Sequence, residues 1–178
     1  MSYFQALDEV KKGNLSPIYL LFGSETYLIQ DLELKIIQAA VEPEQVDLNV
    51  STLDLEETPI QEAILDAETF PFFGERKVLL LKNASLFKAN PEKTKVEHDV
   101  KSLELYLNEA VDHTIVIFVA PYDKVDERKK IVKNLKKAGK VIKCDSPKEW
   151  ELSKWITSLG KDLGVQIEES AVQILIEE

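Results

Sequence analysis

The chain has 178 residues, a formal net charge of −10, a single cysteine, and hydrophobic and charged fractions of 44% and 30%. Those fractions are ordinary for a globular protein, while the negative total excludes a protein that coats nucleic acid over its whole surface. Cys144 alone excludes an internal disulfide framework, and with no apolar run near the roughly 18 residues of a membrane span and no secretory leader, a cytoplasmic setting without membrane contact is expected.

Ser2 can cap a first helix carrying Phe4, Leu7 and Val10 at helical spacing and stopping near Gly13. Pro17-Ile-Tyr-Leu-Leu-Phe22, closed by Gly23, has the continuous apolar character of a strand buried on both faces. Leu28, Ile29, Leu32, Ile36, Ile37 and Ala40 then recur at three and four residues, which predicts a helix of several turns. Val46, Leu48 and Val50 alternate as in a half-buried strand. Thr58-Pro-Ile-Gln61 predicts a helix start, with Thr58 as N-cap and Gln61 reaching back in a capping box, and Ile60, Ala63, Ile64 and Ala67 as the apolar face. Residues 77–81 are the next strand, 88–97 a polar loop, and Leu103, Tyr106, Leu107 and Ala110 the face of another helix. Residues 114–120 are the most apolar strand and are expected at the centre of the sheet.

A basic segment follows. Between Lys124 and Lys143 nine basic residues face two acids, giving +7 and leaving −17 on the remainder. Ile131, Val132 and Leu135 predict a helix there, ended by Gly139, with a final strand at 140–144. Such asymmetry marks either a face that meets something anionic or a solvated helix face. Five strands separated by helices indicate an α/β domain with a mostly parallel sheet. Near Asp145 the pattern changes: Ser146-Pro-Lys-Glu149 predicts a second capping box, Trp150, Leu152, Trp155, Ile156 and Leu159 a helix ending at Gly164, and Glu168 onward more helix. A small helical domain is expected to begin here. Because Ala171-Val-Gln-Ile-Leu-Ile-Glu-Glu178 stops inside an apolar pattern, the natural protein is expected to continue.

Catalytic chemistry is missing from the pattern. A phosphate loop needs G-x-x-x-x-G-K-[ST], so that backbone N–H groups and a lysine cradle the phosphates. Counted from Gly23, Leu28, Ile29 and Gln30 stand where the second glycine, the lysine and the hydroxyl are required. Lys82 and Asn83 follow the strand where an acid would hold a metal. Two histidines, His98 and His113, and one cysteine offer no zinc spacing. Cys144 sits in an apolar strand, and paired acids such as Glu56 and Glu57 stand at loops or helix starts. No catalytic residue, metal or cofactor is expected.

Phe70-Pro-Phe-Phe-Gly74 places three aromatics in four residues between a helix and a strand. Pro71 breaks the helix and Gly74 permits a tight turn. Adjacent Phe72 and Phe73 cannot point the same way in regular structure, so one could enter the core, or both could mark a partner site.

Pro17-Ile-Tyr-Leu-Leu-Phe-Gly-Ser-Glu-Thr-Tyr-Leu28, Phe70-Pro-Phe-Phe-Gly-Glu-Arg-Lys-Val-Leu-Leu-Leu-Lys-Asn83 and Asp123-Lys-Val-Asp-Glu-Arg-Lys-Lys130 with Leu135-Lys-Lys-Ala-Gly139 resemble the delta subunits of the bacterial DNA polymerase III clamp loader. The resemblance runs from Pro17 to the end of the chain. It implies an AAA+-like domain lacking a P-loop over residues 1–145, and the beginning of a helical lid domain over 146–178. It also implies a hydrophobic wedge for the β sliding clamp at Phe70, Pro71, Phe72 and Phe73. Glu68 stands where family clamp motifs often carry glutamine. Implied partners are the clamp, the ATPase and delta prime subunits and, within the assembled loader, DNA. Arg128, Lys129, Lys133, Lys136 and Lys137 are the candidates to touch DNA or a neighbouring subunit. Two other readings stand beside this one: a nucleotide hydrolase with an atypical phosphate loop, and a DNA-binding module acting through the basic helix.

Overall fold

Five strands, β1 (Ile18–Phe22), β2 (Val50–Asp54), β3 (Lys77–Lys82), β4 (Thr114–Ala120) and β5 (Lys140–Lys143), form one sheet in the order β2-β3-β4-β1-β5. Every pairing is parallel, with Ile18 opposite Val116, Tyr19 opposite Lys140, Val78 opposite Ile115 and Val50 opposite Val78. The structure is a computed structural model that describes residues 1–91, 95–164, 168, 171 and 174. It has the α/β architecture expected from the sequence, a parallel five-stranded sheet flanked by helices. The fully buried β4 is central, and the more exposed β2 occupies an edge.

The α-helices named among the described residues are α1 (Tyr3–Lys11), α2 (Thr26–Ala40), the single turn α3 (Val46–Asn49), α4 (Ile60–Glu68), α5 (Val100–Asn108), α6 (Lys130–Ala138) and α7 (Glu149–Asp162). Alternation along the strands sends side chains into two layers. Ile18, Leu20, Leu79, Leu81, Val116 and Phe118 share a core with Ile60 and Ala63 of α4, Leu103 and Leu107 of α5, and Ile131, Val132 and Leu135 of α6. Tyr19, Leu21, Leu80, Ile117 and Ile142 are buried on the other face, where α1 and α2 supply Ala6, Leu7, Leu32 and Ile36. Each fully buried Val, Leu, Ile or Phe among them contributes about 1.5–3 kcal/mol through burial, and the sheet sits between two helical layers.

Three local expectations are corrected. Val46, Leu48 and Val50 do not form a strand: Val46–Asn49 is a helical turn continuing a 3₁₀ turn at Pro43–Gln45, and the strand begins at Val50. The alternation at 46–50 coincides with a turn whose buried residue is polar Asn49 while Leu48 is exposed. Thr58 does not cap α4. Pro59 holds the extended cap position (φ −68, ψ 149), and the first free amide, Ile60 N–H, donates to His98 Nδ1 at 3.0 Å. Gln61 reaches forward instead of back, accepting from Asp99 N–H at 2.9 Å and donating to the Glu97 carbonyl at 3.1 Å. The second box is shifted too: Lys148 is the cap of α7, and its N–H donates to Glu151 at 3.3 Å. By contrast Ser2 and Gln5 form the reciprocal box at α1.

The chain divides into two units, Met1–Asp145 and Ser146–Glu178. Of the second, α7 is described, with Gly164 at φ +74 just beyond its end. The helix expected from Glu168 onward lies largely outside the described residues.

His98 gives the first unit a pH dependence. To accept from Ile60, Nδ1 must carry no proton, and burial lowers the imidazole pKa, with the Leu55 carbonyl opposing part of the shift. A folded pKa below the unfolded value means that the unfolded chain binds more protons. This contribution is therefore intact above the unfolded pKa near 6.5 and is lost as pH falls through it towards the folded value. Melting temperature is expected to fall between pH 7.5 and pH 5 by more in the parent than in His98→Asn, which can accept without titrating. Equal falls would show that His98 is not responsible.

Candidate functional site

Between α4 and β3 lies the aromatic loop. Thr69 turns the chain out of α4 (φ −70, ψ 135), its N–H donating to the Asp66 carbonyl at 3.1 Å and its Oγ1 to the Leu65 carbonyl at 3.0 Å. Pro71 prevents the helix from resuming. Phe72 and Phe73 are 81% and 48% exposed, and their rings meet edge to face with centroids 5.1 Å apart. Neither enters the core. Phe70, 78% exposed, stacks on His113 at 4.4 Å with 25° between the planes. The fold thus forgoes about 1.5–3 kcal/mol of burial for each exposed ring.

The base of the loop is braced by polar contacts. Buried Asn49 donates from Nδ2 to the Phe73 carbonyl and, at 3.1 Å, to the Arg76 carbonyl. Gly74 has φ +70, a conformation costly for residues with a side chain, and a Cβ there would lie 2.6 Å from Gln45 Oε1. Lys77 N–H donates to the His113 carbonyl at 2.9 Å, and Lys77 Nζ pairs with Asp66 Oδ1 at 3.1 Å. Thr114 Oγ1 donates to the Ala67 carbonyl at 2.6 Å inside the core, tying the end of α4 to β4. Glu68 is exposed and lines a groove of about 380 Å³ between α4 and α5, together with Ile64, Leu65 and Leu105. Asn49, Gln45 and His113 carried no signal in the sequence, because each reaches the loop from a distant segment.

The basic residues lie on and just before α6, whose apolar side is buried. Three of the five candidates are engaged within the chain: Arg128 with Asp126 at 3.1 Å, Lys136 with Glu127 at 2.9 Å, and Lys129 Nζ with the Leu86 carbonyl at 3.1 Å. Lys133 and Lys137 are exposed and have no ion-pair partner among the described residues. Lys124, Lys136 and Lys143 line a cleft of about 400 Å³ beside Phe22, Val125 and Val141.

The turn after β1 is short and closed. Gly23 N–H donates to the Tyr122 carbonyl at 2.9 Å and Glu25 N–H to the Cys144 carbonyl at 3.1 Å. Two amides that a phosphate loop would aim at its ligand are therefore spent on protein carbonyls. At the end of β3, Lys82 forms an ion pair with buried Glu33 of α2 at 2.6 Å. The Cys144 thiol is buried and pushed up to about 12 by desolvation, which leaves it a poor nucleophile at neutral pH. Among the described residues no cluster of three or more His, Cys, Asp and Glu could hold a metal, and no helix is long and apolar enough to cross a membrane.

A family model described as DNA polymerase III, delta subunit matches residues 19–145. The DNA polymerase III subunit delta of Bacillus subtilis (strain 168) is 40% identical over 158 residues, covering 89% of this chain and 46% of that protein. The solved structure of the Bacillus subtilis DNA clamp loader delta protein (YqeN) superposes with a TM-score of 0.85 at 38% identity, over 98% of this chain and 51% of that one. The chain spans about half the length of the relatives it matches.

Proposed function

Since the chain belongs to the DNA polymerase III delta subunit family, we propose that it acts as a non-catalytic clamp-loader component that grips the β sliding clamp through its aromatic tip and opens it for loading onto primed DNA. The observation that carries this reading is the exposed pair Phe72 and Phe73 on a braced loop. Exposed aromatics on a fixed support are what a desolvated partner pocket rewards, because little ordering entropy remains to be lost on binding.

The mechanism is differential binding. A wedge that fits a distorted clamp interface better than the closed one shifts the clamp towards opening by the difference between the two affinities. ATP hydrolysis then belongs to neighbouring subunits, in keeping with the closed turn at Gly23 and the Lys82–Glu33 pair at the end of β3. In this reading residues 1–145 form the AAA+-like domain that carries the tip, and 146–178 begin a helical lid. Glu68 supplies no neutral amide where family motifs often have one, so the aromatic rings and Pro71 provide most of the grip. Saturable binding of the cognate clamp by this chain, measured by surface plasmon resonance, tests the proposal; absence of binding overturns it.

An approach to DNA or a neighbouring subunit falls to Lys133 and Lys137 of α6. Lys133→Glu with Lys137→Glu should leave melting temperature unchanged, because both side chains extend into solvent. In the assembled loader the pair should flatten the salt dependence of DNA binding, by about one unit of log–log slope for each phosphate that is no longer neutralised. An unaltered slope would make this helix a solvated face.

A further inference from the structure

The tip has little structure of its own. Residues 70–75 make no backbone–backbone hydrogen bond among the described residues, the Phe72 and Phe73 rings touch each other in solvent, and Gly74 adopts a left-handed conformation. A loop with those properties would normally sample many conformations and lose affinity on being ordered by a partner. What opposes this comes from outside the loop. Asn49 is 2% exposed at the end of α3, and its one amide nitrogen meets the carbonyls of both Phe73 and Arg76. From the same segment, Gln45 lies over Gly74. The two carbonyls bracket the turn at Gly74, so a single side chain fixes where the loop leaves the aromatic pair and where it re-enters the sheet.

We propose that Asn49 is a positioning residue for the tip: by clasping the Phe73 and Arg76 carbonyls it holds the Phe72–Phe73 pair in its presented geometry without touching the partner. The inference rests on the clamp-binding reading of the tip. It also explains why the chain spends a buried polar residue at a position that would otherwise favour an apolar one. A buried amide is retained at low cost only where it is hydrogen-bonded. Asn49 Nδ2 is so bonded and its targets belong to the loop alone, whereas its buried Oδ1 has no hydrogen-bond partner among the described residues, so the clasp on the loop is what the amide supplies.

The test is a double-mutant cycle read as affinity for the cognate clamp. Asn49→Ala and the isosteric Asn49→Asp, which at neutral pH cannot donate, should each weaken binding about tenfold in the parent. In a chain already carrying Phe72→Ala and Phe73→Ala, neither should weaken it further, because there is no aromatic pair left to position. Melting curves confirm that each variant is folded at the assay temperature. Should Asn49→Ala fold poorly, Gly74→Ala, whose Cβ would meet Gln45 Oε1 at 2.6 Å, disturbs the same turn from within the loop and should show the same dependence on the aromatic pair. Unchanged affinity in Asn49→Ala and Asn49→Asp, or an equal loss with and without the aromatic pair, overturns the positioning role. If Phe72→Ala with Phe73→Ala itself leaves affinity unchanged, it is the clamp-binding reading that fails, and the cycle separates the two failures.

Discussion

Replacing Phe72 and Phe73 together by alanine is expected to weaken binding of the sliding clamp on the order of a hundredfold or more while barely changing the melting temperature. The two halves of that result come from one observation: the rings are 81% and 48% exposed and contact each other, with neither in the core. Truncating a buried phenylalanine costs about 3–5 kcal/mol of folding stability through lost transfer energy and a cavity. No such cavity forms here. Hot-spot aromatics that become fully desolvated against a partner typically cost about 2–4 kcal/mol when truncated, and each 1.4 kcal/mol is about a factor of ten in affinity. Calorimetric melting and clamp affinity measured on the same double variant check both halves. A large fall in melting temperature with affinity retained by the folded fraction would refute the wedge. Phe70→Ala alone should matter less, because the side of its ring that stacks on His113 is already occupied.

The parts of this molecule legible in the sequence are those whose physics is local. The largely apolar runs at 18–22, 77–81 and 114–120 read directly as buried strands, and β4 is central because β3 and β1 pair with its two edges while helices cover the faces of the sheet. The spacing of Ile131, Val132 and Leu135 could only be one helix face. The aromatic tip was legible as an oddity, since Pro71 and two adjacent phenylalanines satisfy neither the helical nor the strand period. What could not be read was any contact closing a large loop. The cap of α4 comes from His98, 38 residues away from Ile60, so the local Thr58-Pro-Ile-Gln61 pattern pointed to the wrong acceptors. Asn49 was hidden inside an apparent strand alternation because its partners lie 24 and 27 residues further on. The basic segment shows the same limit in electrostatics. Charge counting gave nine basic residues and no way to rank the five candidates among them, and only geometry separates Lys133 and Lys137 from the three engaged within the chain.

Gly23→Ala is expected to be strongly destabilising for the first unit. Gly23 has φ +134, a region essentially reserved for glycine, and a Cβ there would lie 2.2 Å from the Cys144 carbonyl oxygen and 2.7 Å from its carbon. Those atoms are backbone, so no rotamer change relieves the clash. Moving them apart means breaking the Cys144 N–H bond to the Phe22 carbonyl at 2.7 Å, or the Glu25 N–H bond to the Cys144 carbonyl at 3.1 Å. Strain of about 1–3 kcal/mol and overpacking of similar size combine to a loss on the order of 3–5 kcal/mol. At roughly 2–4 °C per kcal/mol for a chain of this size, the melting temperature should fall by about 10 °C. Gly13→Ala is the control, since Gly13 also has a positive φ, +79, but has nothing within 4 Å of the added Cβ. It should cost only the backbone term, about 1 kcal/mol. The same tight approach that excludes a methyl group at Gly23 turns its N–H to the Tyr122 carbonyl and commits the Glu25 N–H to Cys144. Millimolar ATP with Mg²⁺ should accordingly leave the parent melting curve in place, because a nucleotide that bound the native state would raise it by mass action. Equal melting of the Gly23→Ala and Gly13→Ala chains would show that the turn is looser than its geometry indicates, and an upward shift with ATP would reopen the nucleotide-hydrolase reading.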